Sequence, residues 1–216
     1  MDWIGTLQDL SLLIGTWVAI YGIDSWRSEH RGKRQIEIAE ETLALFYEAE
    51  DAIRHIRHPA SFSNETESVE RGERESEASW DARKNASVVF KRYNDHQELF
   101  NRLHAMRYRF MAQIPKGKTK PFDDLRRIVS EIIVSARMLS RLRAREHFRT
   151  DQQWEQHQKS VEKHEAVFWE GLKEEDLINP RLDSIVDDID RTCREVISGK
   201  GTLHGVLNRP LFKSKG

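Results

Sequence analysis

The sequence predicts an all-α protein in which a single N-terminal transmembrane helix continues into a cytoplasmic antiparallel bundle of long helices. Three observations carry that expectation. An uncharged run, Leu10 to Ile23, is followed at once by Arg27, Arg31, Lys33 and Arg34. Downstream, apolar residues recur at alternating spacings of three and four, as on the buried stripe of a helix. Charged residues make up 33% of the chain against only five prolines and eleven glycines. That balance suits helices with one apolar seam and wide solvated faces, not a turn-rich β fold.

Extended back to Ile4, the first run is interrupted only by Gln8 and Asp9. Roughly 20 helical residues cross a hydrocarbon core ~30 Å thick, and residues 4–23 just meet that length. Trp3 and Trp26 bracket the run, as interfacial aromatics do. The basic residues lie on its C-terminal side only, which predicts a single-pass protein of the inner (plasma) membrane with its N-terminus outside and its body cytoplasmic. A secretory signal does not fit, because Asp2 stands where a basic n-region is needed and no small-x-small cleavage site follows. Ser11, Gly15 and Ala19 fall four apart, a small-residue stripe suited to close approach of a second membrane helix and hence to a homodimer. The competing reading is a bundle whose first helix is merely apolar.

On this reading residues 1–26 are the N-terminal segment and transmembrane helix, 27–198 the helical bundle and 199–216 a basic tail. The first helix runs on through a seam of Ile36, Ala39, Leu43, Phe46 and Ile53, widened by Ile38, Leu45, Ala49, Ala52 and Ile56, until Pro59 stops it. Residues 60–78 hold six glutamates against two arginines and read as a mobile acidic loop. A second helix is predicted over 79–114, with Trp80, Val89, Phe90, Tyr93, Phe100, Leu103, Met106 and Phe110 on its seam. The turn at 115–121 follows, and Asp123 marks the first turn of a third helix. Its core face is Leu125, Ile128, Ile132, Ala136 and Leu139. Near Thr150 and Asp151 the seam changes phase, so 123–171 reads equally as one helix or two. The last helix spans 179–197, with Pro180 in its first turn and Gly199 at its end.

Residues 24–57 and 79–114 would each be roughly 50 Å long. An antiparallel return therefore sets the turn lysines, Lys116, Lys118 and Lys120, beside Arg27, Arg31, Lys33 and Arg34 as basic groups for a membrane surface.

Chemistry-bearing patterns are sparse. The single Cys193 excludes an intramolecular disulfide or a multi-cysteine zinc site and fits a reducing compartment. None of the nine histidines has Glu three residues before it, as a carboxylate-bridged di-iron bundle requires. His55-x-x-His58 shares a helix face but sits beside Pro59, and His157 and His164 are two turns apart, so no metal and no other cofactor is expected. Ser198-Gly-Lys-Gly-Thr202 lacks the first glycine of a phosphate loop and no strand precedes it. No nucleophile elbow exists. Arg137, Arg141, Arg145 and Arg149 form a stripe that would suit an anion such as a phosphate backbone. The acidic row Glu37, Glu41 and Glu48 offers it an ordinary ion-pairing role instead, and with a net charge of −1 nucleic acid is not the expected partner.

Arg141-x5-His147 resembles the Arg-x4–6-His pattern of the HEPN family, all-helical bundles many of which are ribonucleases. That resemblance implies Arg141 and His147 as catalytic residues, although the family's polar residue after the Arg is Leu142 here. The hydrophobic start followed by Trp26-Arg27 and the segment Arg31 to Ala49 resembles uncharacterised bacterial membrane-anchored helical proteins, which bring no activity with them. The function expected from all this is a membrane-tethered, non-enzymatic helical scaffold, sensor or adaptor. Its partners would be the lipid bilayer, a second copy through the membrane helix and a protein of unknown identity. The alternative is a membrane-tethered nucleic-acid-binding or HEPN-like ribonuclease module.

Overall fold

The computed structural model describes residues 3–114, 116–142, 151–171 and 176–199. Among them every regular element is helical. The helices are α1 (Trp3–Arg57), α2 (Glu77–Asp95), α3 (Gln97–Gln113), α4 (Lys120–Leu142), α5 (Asp151–Phe168) and α6 (Asn179–Ile197), with single 3-10 turns at Ser63–Glu65 and Lys116–Lys118.

The second half of α1 is the axis of the bundle. It packs against α6 on one side and α3 on the other, while α4 lies against α2, α5 and α6. Side-chain bonds fix the directions. Arg54 reaches Asp183 at 2.7 Å and Tyr47 donates to Asp190 at 2.7 Å, so α6 runs antiparallel to α1. His55 meets His96 at one end of α3, and Gln35 donates to the Gln113 carbonyl at the other, so α3 is antiparallel to α1 as well. The core between them holds Phe46, Phe110 and Phe122, with Phe46 edge-on to Phe122 at 4.9 Å between ring centres. Both predicted rows of α1 contribute. Ile38, Leu45, Ala49, Ala52 and Ile56 are buried with Ala39, Phe46 and Ile53, while Ile36 and Leu43 are half-buried. A helix with neighbours on two sides needs the wider stripe.

Two buried arginines join the ends of the helices. The last carbonyls of a helix have no intrahelical donor, and a guanidinium carries five N–H groups in a fixed fork. Arg57, wholly buried at the end of α1, donates to the carbonyls of Val167 (2.9 Å), Ala166 (3.4 Å) and Trp169 (3.2 Å) at the end of α5. The rest of its fork binds Asp176 at 3.0 and 2.8 Å and Asn179 at 2.7 Å. Asp176 in turn accepts the N–H groups of Ile178 and Asn179 at the start of α6. Burial opposes ionisation of Asp176, but Arg57 and those two N–H groups hold its pKa down to about 2. Arg92 does the same for α1: it donates to the carbonyls of His55, His58 and Ala60 and is bidentate to Glu65 at 2.6 and 2.9 Å.

Three expectations change. No helix, among the described residues, is long and apolar enough to cross a membrane. The predicted single-pass span, and with it the inner-membrane localisation with an outside N-terminus, is overturned. The physical reason is length and dilution: the strictly uncharged run at 10–23 covers only about 21 Å of helix, and Gly15, Thr16, Trp17, Tyr21 and Gly22 lower its hydropathy. The helix predicted over 79–114 is interrupted at His96, because α2 packs on α4 while α3 packs on α1, and one straight helix cannot serve both. The open question over 123–171 resolves as two helices, since α5 folds back on α4 with Ser135 Oγ 3.1 Å from His164 Nδ1. The end of the last helix is as read from the sequence, and Gly199 closes it at φ +63°.

The acidic segment 60–78 is tied down at several points. Glu65 is held by Arg92, Glu75 by Arg83 at 2.6 Å, and the Val69 carbonyl by the Trp80 indole N–H at 2.9 Å. The Arg92 fork and the Phe62 N–H lower the Glu65 pKa to about 2, against the opposing pull of burial.

Candidate functional site: the projecting arm of the first helix

α1 is 55 residues long, close to 80 Å of helix, but only its second half is covered by the bundle. Every described side chain from Leu12 to Arg31 is exposed. Leu12, Leu13 and Trp17 are each 68% exposed, Tyr21 67% and Trp26 63%, with Ile14, Val18 and Ile23 at 56%. At 100° per residue, Ile14, Trp17, Val18 and Tyr21 fall within one 100° sector, and the Trp17 and Tyr21 rings stack at 5.7 Å. Leu12 and Ile23 lie on the opposite side. The Thr16 hydroxyl turns back to the Leu12 carbonyl at 2.8 Å, so this position too presents its methyl outward.

The small-residue stripe lies on this arm. Gly15 has open space where a Cβ would stand, and Ala19 is exposed. The side chain of Ser11 lies outside the described residues. Arg27, Arg31, Lys33 and Arg34 form a basic collar at the base of the arm, with Lys33 paired to Glu29 at 3.2 Å. The Gln35–Gln113 bond brings the end of α3 beside this collar. Of the turn lysines, Lys118 pairs with Glu195 at 3.5 Å and Lys120 with Asp124 at 3.8 Å, and the side chain of Lys116 lies outside the described residues.

Other sequence candidates are dispersed. Arg137 and Arg141 are exposed on α4, while Arg145, His147 and Arg149 lie outside the described residues, and with His147 so does the HEPN-like pairing expected with Arg141. In the acidic row of α1, Glu41 pairs with Arg109 at 2.9 Å and Glu48 with Arg102 at 3.7 Å, both on α3. Cys193 is fully buried, and burial pushes its thiol up to about 12. A thiolate nucleophile is therefore suppressed there. His55 and His96 share one hydrogen bond at 3.2 Å, and desolvation together with Arg92 lowers the His55 pKa. Among the described residues no group of three or more His, Cys, Asp or Glu side chains converges as a metal site. A cleft of about 370 Å³ opens between α3 and α4, walled by Tyr93, Phe100 and Tyr108, but its Arg107 is already paired with Asp123 at 3.2 Å.

Sequence reasoning missed Arg57 and Arg92, which order the junction rather than form a site. Their phase was the available signal. Arg57 falls four residues after Ile53 and Arg92 three after Val89, both in register with buried apolar positions.

No protein-family model, no curated protein and no solved structure matches the chain. What the fold and the arm define is a class: a helical bundle carrying a long, partly unpartnered helix.

Proposed function

We propose that this chain is a non-enzymatic helical scaffold or adaptor that docks a protein along the arm of α1. One observation carries the reading: the uncovered apolar surface of residues 12–26. Eight large side chains there, Trp17, Tyr21 and Trp26 among them, are more than half exposed. Monomeric proteins rarely present a contiguous apolar patch above a few hundred Å², and larger ones mark interaction sites. A helix apolar around most of its girth belongs inside an assembly. Because α1 runs unbroken from arm to bundle, whatever holds the arm also fixes the orientation of the body.

The test is a photo-reactive phenylalanine derivative in place of Trp17 in the full-length chain, irradiated in cells. A discrete protein adduct is expected at position 17 and not at the exposed α6 position Arg191. Adducts to lipid alone, or no difference between the two positions, would overturn the reading.

A further inference from the structure

We propose that the cleft between α3 and α4 binds a small aromatic monocarboxylate. The proposal goes beyond the docking reading and rests on none of the arm's residues. The cleft follows from the break at His96. Near the turn that joins them, α3 and α4 touch: the Phe110 and Phe122 rings lie 5.3 Å apart and Arg107 pairs with Asp123. Further along, α3 is held by α1 and α4 by α2, so the two helices diverge. The gap they leave is about 370 Å³, a volume within the range of small-molecule sites.

The lining selects an aromatic ligand. Its apolar part is buried, from Leu103, Phe122 and Leu125. Around that part stand rings. Tyr93 and Phe100 stack on each other at 5.5 Å, and Tyr108 remains 56% exposed as a further wall. Such rings offer an incoming π system offset or edge-on contacts that a saturated ligand cannot use.

The charged groups set the sign and size of the ligand's charge. Asp123 is the one acid in the lining, and Arg107 Nη2 donates to it at 3.2 Å. Arg126, three residues further along α4, lines the same cleft, is exposed and makes no ion pair among the described residues. Two cations against one carboxylate leave an excess of one positive charge. A monoanion balances that excess, whereas a phosphate monoester, close to doubly charged at neutral pH, exceeds it. The Arg107 fork is incompletely used as well. Its Nε is buried without a hydrogen bond, the Asp123 oxygen 3.2 Å away lying out of line. A guanidinium and a carboxylate match as planar forks. Arg126 therefore supplies the charged contact while the rings hold the aromatic body.

The experiment is equilibrium dialysis of the purified full-length chain against naphthoate, a flat aromatic monocarboxylate. Two comparison probes divide its features: naphthalenemethanol keeps the rings without the charge, and cyclohexanecarboxylate keeps the charge without the rings. Naphthoate should be retained at one molecule per chain, and each comparison probe about tenfold more weakly or less. Arg126→Gln should weaken naphthoate binding about tenfold, the loss of one charge-assisted contact, and Tyr108→Ser should weaken it several-fold. Both positions are exposed, so helicity by circular dichroism should be unchanged. Trp17→Glu, on the arm, should leave retention as in the parent. No retention of naphthoate, or equal retention of naphthalenemethanol, would overturn the proposal. So would full retention by Arg126→Gln, or loss of retention through Trp17→Glu, which would put the probe on the arm.

Discussion

Removing the Arg57 fork tests whether the junction at the end of α1 is held as described. The Arg57→Met substitution keeps most of the aliphatic bulk and deletes every donor. Three carbonyls at the end of α5 lose their donor, and Asp176, whose side chain is 14% exposed, loses its cation. Breaking a buried ion pair by removing one partner costs about 3–5 kcal/mol, because a desolvated charge is left alone. Asp176 keeps the N–H groups of Ile178 and Asn179, which argues for the lower end of that range. Since a domain of this kind has about 5–15 kcal/mol of stability in all, the loss is measurable without abolishing folding. Arg57→Lys retains the charge but cannot span both the carbonyls and Asp176, and should cost less than Arg57→Met but more than nothing. The assay is urea unfolding followed by circular dichroism, with the denaturant slope unchanged between variants. Asp176→Asn should cost less in the Arg57→Met background than in the parent, since the carboxylate there has already lost its partner. A shift below about 1 kcal/mol for Arg57→Met would refute the reasoning, because it would mean the fork contributes little beyond water.

Two further outcomes are expected. The Glu65 and Asp176 carboxyls fall from ordinary values of 4.5 and 3.8 to about 2 in the folded chain, so their contribution is complete above the ordinary values and drains away as pH drops from about 4.5 to 2; a urea midpoint flat across that window would contradict both pairings. The segment 60–78 should resist a Glu-directed protease under native conditions while its ties to α2 hold, and Arg92→Met should speed cleavage several-fold, as the loss of bonds to Glu65 and to the carbonyls of His55, His58 and Ala60 makes local opening easier.

Much of the bundle was legible because its information is periodic. The last helix could be bounded to the residue, since Pro180 suits only the first turn and Gly199 supplies the left-handed backbone that ends it. The α1 seam was legible as well, down to the second row that its two neighbours require. The break at His96 was not, for no glycine or proline marks it; it arises from which helix each half packs on, a tertiary fact. Arg57 and Arg92 were invisible for a related reason: an arginine in core phase looks like an edge residue until the helix ends that need its donors are brought to it. The arm was legible as apolar and misread as a span. A run such as Leu10 to Ile23 satisfies a bilayer and a protein partner by the same chemistry, and only its length, short of a hydrocarbon core, separates them.

The tie between Arg57 and Asp176 spans 119 positions of the chain. A ribosome adds about 5–20 residues each second, so the end of α1 emerges about 6 to 24 s before the carboxylate that will neutralise it. During that interval the nascent polypeptide carries an apolar arm, an open seam and a cation with no counter-ion. A chain that ends before Asp176 therefore lacks both the carboxylate that neutralises Arg57 and the α6 helix that covers one side of α1.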